Sequence, residues 1–183
     1  MYEVEVKAKL RDRQAIIKKL KDFGCKFSEE LHQIDHIFAP NDVFFPPPLN
    51  TPILRVREQN KRYFFTLKIS QSGRQDSMER ELEIMDSSMM IEIMKFIGYK
   101  EVSKVDKKRI QTKYRDMVIE LDKVEDLGEF IEVEKIVTHT DMEIRKNIQK
   151  ELCEFLETLG VVKEDLLMNS KYDIMLFEKL KGK

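Results

Sequence analysis

Apolar and polar side chains alternate from the second residue of this chain: in YEVEVKAKL, Val4, Val6, Ala8 and Leu10 are interleaved with Glu3, Glu5, Lys7 and Lys9. Successive side chains of a strand face opposite ways, so the pattern predicts a strand with one charged and one apolar face. The period then changes. Ile16, Ile17, Leu20 and Phe23 recur at helical spacing, with Asp12 placed to cap the first turn and Gly24 to end the helix. An extended segment from about Lys26 to Phe38 leads into NDVFFPPPLNTP, an irregular loop, because three successive prolines offer no amide to a ladder. ILRVRE, RYFFTLKIS and MERELEIM read as strands, and DSSMMIEIMKFIGY as a capped helix ending at Gly98. Three more strand-like runs follow, EVSKVDKKRIQTKY, RDMVIELDKV and GEFIEVEKIV. From about Asp141 to Leu180 two helical patterns are broken near LGVV.

The first half thus reads strand, helix, strands, and the second repeats a helix, a glycine turn and strands, with KDFGCKF answered by MKFIGYKEV. This is a weak internal duplication. No low-complexity linker divides it, so the expectation is a single domain over 1–183, of α+β class, dominated by about eight antiparallel strands with the amphipathic helices packed outside.

Composition narrows the function. Lys and Arg number 33 against 34 Asp and Glu, so no global basic field draws nucleic acid, and any anion site must come from local clustering. Cys25 and Cys153 have no metal-ligand spacing and are too few for a disulfide framework, which suits a reducing compartment. With no run of membrane-spanning length and no basic-then-apolar leader, the expected location is the cytoplasm, with no membrane partner.

Sorting each strand into faces brings the charges together. Arg55 and Arg57 oppose Leu54 and Val56; Lys68 lies with Thr66, opposite Leu67 and Ile69; Glu79, Glu81 and Glu83 oppose Leu82 and Ile84. Lys107 and Arg109 share a face while Lys108 sides with Ile110; Glu120 and Asp122 oppose Ile119 and Leu121; Glu132 and Glu134 oppose Ile131 and Val133. If the sheet curls into a barrel with helices outside, these faces converge on one lumen. Ionised groups crowded there are costly to desolvate unless they pair or meet a ligand. A polyphosphate with divalent cations suits both signs, because Lys and Arg bind phosphate oxygens and carboxylates hold Mg²⁺ or Mn²⁺.

The ordered set EVEVK, LRVRE, TLK, ELE, KKR, IELDKVEDLG and FIEVE, with SKYDIML near the end, resembles the CYTH family, which includes class IV adenylyl cyclases and thiamine triphosphatases and has the triphosphate tunnel fold. YEVEVK and LDKVEDLGEFIEVE are most similar to the cyclase branch. The resemblance implies metal-binding carboxylates at Glu3, Glu5, Glu132 and Glu134, with Glu81, Glu83, Glu120 and Asp122 as further acidic lining. It implies a triphosphate clamp of Lys7, Arg55, Arg57, Lys68, Lys107 and Arg109, with Lys7, Lys68 and Arg109 as its catalytic members. QIDHIF has Ile37 before Phe38 where the family pattern has an aromatic pair, so Asp35 is left outside the expected set. A homodimer is what the family implies.

Other signals carry less. His32 and His36 are four apart, but the segment is extended and Gln33 stands where a catalytic glutamate would be. His139, next to a helix start, reads as solvated. MMIEIM fits a helix core. Neither G-x-x-x-x-G-K-[ST] nor G-x-G-x-x-G occurs, so phosphate recognition must come from side chains. The expected activity is conversion of ATP to 3′,5′-cyclic AMP and pyrophosphate. The rivals are hydrolysis of thiamine triphosphate or inorganic tripolyphosphate, and a noncatalytic nucleotide- or polyphosphate-binding module.

Overall fold

A computed structural model describes residues 2–138 and 141–182; His139 lies outside the described residues. Eight strands, β1 (Tyr2–Lys9), β2 (Leu31–Pro40), β3 (Pro52–Gln59), β4 (Arg62–Gly73), β5 (Asp76–Ile84), β6 (Tyr99–Tyr114), β7 (Met117–Val124) and β8 (Gly128–Val137), close into an antiparallel barrel. Around the ring they run β1, β5, β4, β3, β2, β6, β7, β8 and back to β1. Helices α1 (Arg13–Asp22), α2 (Ser87–Phe96), α3 (Met142–Leu159) and α4 (Tyr172–Lys181) complete the fold.

The duplication is visible in the connectivity. Each half is a strand, a helix and three strands, and exchanging β1 with β5, β2 with β6, β3 with β7 and β4 with β8 leaves the ring order unchanged. Both early helices start alike: the Asp12 carboxylate accepts from the Ala15 amide at 3.0 Å, and that of Asp86 from Met89 at 2.9 Å. Each satisfies an amide that the helix cannot. Gly24 and Gly98, with φ of 82° and 90°, turn the chain back into a strand, a conformation that a Cβ disfavours.

The largest part of the core lies outside the barrel. Val4, Val6, Ala8, Ile119, Leu121, Ile131 and Val133, from the outward faces of β1, β7 and β8, pack on Ile16 and Leu20 of α1 and Leu152, Leu156 and Leu159 of α3. A second cluster sets Phe38, Leu54 and Val56 under Met94 of α2. Strand alternation then turns the charged residues inward.

Three local expectations change, and the two histidines stay apart from any site. The second strand begins at Leu31 rather than Lys26. Phe23 follows the last residue of α1 and is 45% exposed, its ring resting on Tyr114 at 5.4 Å. Of the α2 methionines only Met94 is fully buried, while Met85, Met89, Ile93, Phe96 and Ile97 form an exposed apolar stripe. His32 and His36 face outward, each 2.7 Å from its own carboxylate, Asp106 and Glu101 respectively. No described helix is long and apolar enough to cross a membrane.

Candidate active site

The inward faces enclose a cavity of about 280 Å³ lined by nine carboxylates and eight Lys or Arg side chains. Such a nearly neutral lining does not concentrate a polyanion by net charge. Its chemistry lies in how the two signs are arranged.

The acidic cluster is built by β1 and β8. Glu5 is directly opposite Glu134 in the ladder and Lys7 opposite Glu132, and one carboxylate oxygen from each of Glu3, Glu5, Glu132 and Glu134 lies within 4.8 Å of the others. Burial raises Glu3 to about 8 against the attraction of Lys68, with Glu79 and Glu5 adding repulsion. Burial and the neighbouring carboxylates, Glu3 and Glu120 first, raise Glu134 to about 10. Burial also opposes ionisation of Glu5, but Lys7 outweighs it and holds the acid below the usual carboxylate range. Protonation of Glu3 and Glu134 at neutral pH relieves the crowding of four acids. A divalent cation would relieve it by taking the place of those protons, and four hard oxygen donors fit Mg²⁺ or Mn²⁺.

Across the lumen, β3, β4 and β6 supply cations that are already paired. Arg57 donates to both Asp35 oxygens at 2.6 and 2.8 Å. Arg55 donates to Thr66 and Glu81 at 3.0 Å each. Lys68 is 2.5 Å from Glu79 and 3.9 Å from Glu3. Arg109 donates to both Asp122 oxygens at 2.6 Å and also contacts Glu120 and Glu132. Lys7 is 3.1 Å from Glu132. Lys107 is the weakly paired member, 3.7 Å from Asp122 and 4.0 Å from Asp35. Burial and the repulsion of Arg109 bring it down to about 8. Lys108, one residue on, is exposed and near Glu30 on the outer face.

All six expected clamp cations and the four expected metal carboxylates line this one cavity, as do Glu81 and Glu120. Two acidic assignments need correction. Glu83 is half exposed at the end of β5, paired with Arg62, and does not line the cavity. Asp122 has no exposure and no cavity surface; it stands behind Arg109 and orients its guanidinium. Six titratable lining residues lie outside the expected set: Asp35, Arg74, Glu79, Lys171, Tyr172 and Asp173. Asp35 shares the inward face of β2 and lies opposite Arg57 in the ladder. Lys171 and Tyr172 come from the start of α4, where Lys171 donates to Ser77 at 3.0 Å and the Tyr172 ring lies 4.3 Å beneath the Lys7 ammonium. SKYDIML held that signal, but a helix start has no strand parity to reveal which side chains enter the lumen.

A barrel with its core outside and its ionised groups inside is the architecture of the triphosphate tunnel class. The chain belongs to the CYTH domain family, whose profile matches residues 1–169. It is 30% identical over 176 residues to a protein of Methanocaldococcus jannaschii named "Putative adenylate cyclase MJ0240", spanning 95% of this chain and 98% of that one. Among solved structures it is similar to the PH1819 protein of Pyrococcus horikoshii, with 27% identity, a TM-score of 0.80, and coverage of 97% and 99% of the two chains. A "Putative adenylyl cyclase" from Hippeastrum, reported with a dominant triphosphatase activity, shares the fold at 17% identity and a TM-score of 0.60, over 98% of this chain and 96% of that one.

Proposed function

We propose that the protein is a divalent-metal-dependent adenylyl cyclase that converts ATP to 3′,5′-cyclic AMP and pyrophosphate. The observation that carries this reading is the pairing, in one cavity, of the Glu3, Glu5, Glu132 and Glu134 cluster with the Arg55, Arg57, Lys68, Lys107 and Arg109 wall. The cyclase name of the 30% identical relative supports it.

Cyclisation forms a bond from the ribose 3′-oxygen to the α-phosphorus and breaks the α–β bridge. The bridging electrons leave with pyrophosphate, and the hydroxyl proton passes to solvent water or to Lys107 in its neutral amine form. Glu3, Glu5, Glu132 and Glu134 would hold a divalent cation, which would supply charge neutralisation and acidify the hydroxyl. Arg55, Arg57, Lys68 and Arg109 exchange part of their carboxylate pairing for phosphate oxygens and hold the chain of three phosphates in line. Lys7 adds charge beside Glu132, and Lys107, near 8, is the cation best placed to exchange a proton close to neutral pH. Asp35, Asp122 and Glu79 keep the basic groups oriented before substrate arrives.

A second reading, hydrolysis of the terminal phosphate of thiamine triphosphate or tripolyphosphate, uses the same clamp with water as nucleophile, and the activity reported for the Hippeastrum relative favours keeping it. Incubating the protein with ATP, thiamine triphosphate or tripolyphosphate and Mg²⁺ or Mn²⁺, then separating products, decides between them. Cyclic AMP with equimolar pyrophosphate is the expected result. Orthophosphate as the main product assigns the hydrolase, and no turnover leaves a binding module. Glu134→Gln is expected to abolish turnover while preserving the fold, because a neutral amide replaces a carboxyl group that the metal-free cluster already holds protonated at neutral pH, while a cation would lose that ligand.

A further inference from the structure

The lumen changes character along its axis. On three adjacent strands the inward residue turns from charged to apolar, staggered by one inward pair from strand to strand: Asp35 to Ile37 on β2, Arg55 to Ile53 on β3, and Lys107 to Val105 on β6. The antiparallel register places all three steps in one direction, since Asp35 is opposite both Arg57 and Val105, and Ile37 is opposite Arg55. Phe45, from the loop between β2 and β3, and Ile174, from the first turn of α4, complete the wall. These elements hold each other through an edge-to-face contact of Phe45 with Phe177 at 4.9 Å. The cavity reaches Ile37, Phe45, Ile53, Val105 and Ile174 as well as the clamp.

Three phosphates with their cations have no use for an apolar wall. A ligand with a phosphate tail and an organic head would satisfy both parts, with the tail among the Lys and Arg residues and the head against the isoleucines. We propose that this apolar end is the specificity-determining subsite for the organic group of an esterified triphosphate, so that the tunnel selects a nucleoside or similar organic triphosphate over inorganic tripolyphosphate. The proposal rests on the reading of the cavity as a triphosphate site. It adds the residues that read the non-phosphate part, Phe45 and Ile174 foremost, and it holds whether the nucleophile is the ribose hydroxyl or water.

The test is calorimetric titration, with Mg²⁺ present, of two non-cleavable ligands: the ATP analogue with both phosphate-bridging oxygens replaced by methylene, and tripolyphosphate modified in the same way. The wild-type protein is expected to bind the ATP analogue at least tenfold more tightly. Phe45→Ala and Ile174→Ala are expected to weaken the ATP analogue fivefold or more and to leave tripolyphosphate within twofold, which also reports that the clamp is still folded. Equal wild-type affinity for the two ligands would overturn the subsite while leaving the triphosphate reading intact. So would variants that weaken both ligands equally. Failure of the wild type to bind either ligand would instead overturn the triphosphate reading on which the subsite rests.

Discussion

Lys107 and Lys108 are neighbours in sequence and opposites in environment, one buried in the lumen and the other exposed on the outer face. Lys107→Ala is expected to weaken triphosphate binding by about 1.5–3 kcal/mol through a lost charge-assisted contact, whereas Lys108→Ala leaves it unchanged. Titration of a non-cleavable triphosphate against both variants checks this, and equal losses would refute the face assignment. Asp122→Asn acts on the fold instead. It weakens the bidentate partner of a buried guanidinium, so unfolding by denaturant should show a loss approaching about 3–5 kcal/mol. The acidic cluster has its own signature. Because Glu3 and Glu134 are raised to about 8 and about 10, the folded metal-free protein holds protons more tightly than the unfolded chain. The stability from this source is complete below the ordinary carboxylate pKa of 4.5 and is lost as pH rises through those two values. Thermal unfolding without metal should therefore occur at lower temperature as the solution becomes alkaline, and saturating Mg²⁺ should flatten the decline. A slope that Mg²⁺ leaves untouched would take the cation role away from these glutamates.

At the scale of elements, parity did most of what the sequence could do. Alternation in VDKKRI placed Lys107 with Arg109, and alternation in EVEVK and FIEVE put the four glutamates on one face. Parity names a face but not a depth. Glu83 therefore counted with Glu81 although it lies at the end of β5, and Asp122 counted with Glu120 although Arg109 screens it from the cavity. Asp35 depended on register rather than alternation, since its role comes from sitting opposite Arg57 on a different strand. The tunnel residues of α4 were out of reach for the same reason: the contact is tertiary. The caps, by contrast, were plain in the sequence. Asp12→Ala and Asp86→Ala should each cost about 1 kcal/mol, measurable by chemical denaturation, with little change in ligand binding because both helices lie outside the barrel.

Across the whole molecule, the two halves share a plan and differ in charge. The inward residues of β3 and β4 include Arg55, Arg57 and Lys68, while their counterparts β7 and β8 present Glu120, Asp122, Glu132 and Glu134. Strands β1 and β6 cross that division, with Glu3 and Glu5 on β1 and Lys107 and Arg109 on β6, so both the acidic and the basic wall draw on both halves. The ring also has a last joint. β1 shares three residue pairs with β5 and eight with β8, and its outward Val4, Val6 and Ala8 rest on a cluster completed by α3. During synthesis, β1 leaves the ribosome before both of its partners and must wait for β8, the last strand of the barrel, before it is covered. A waiting strand edge recruits other chains, and charge along it is the usual protection. Glu3, Glu5 and Lys7 place charge of that kind along β1, the same charge that faces the cavity once the ring has closed.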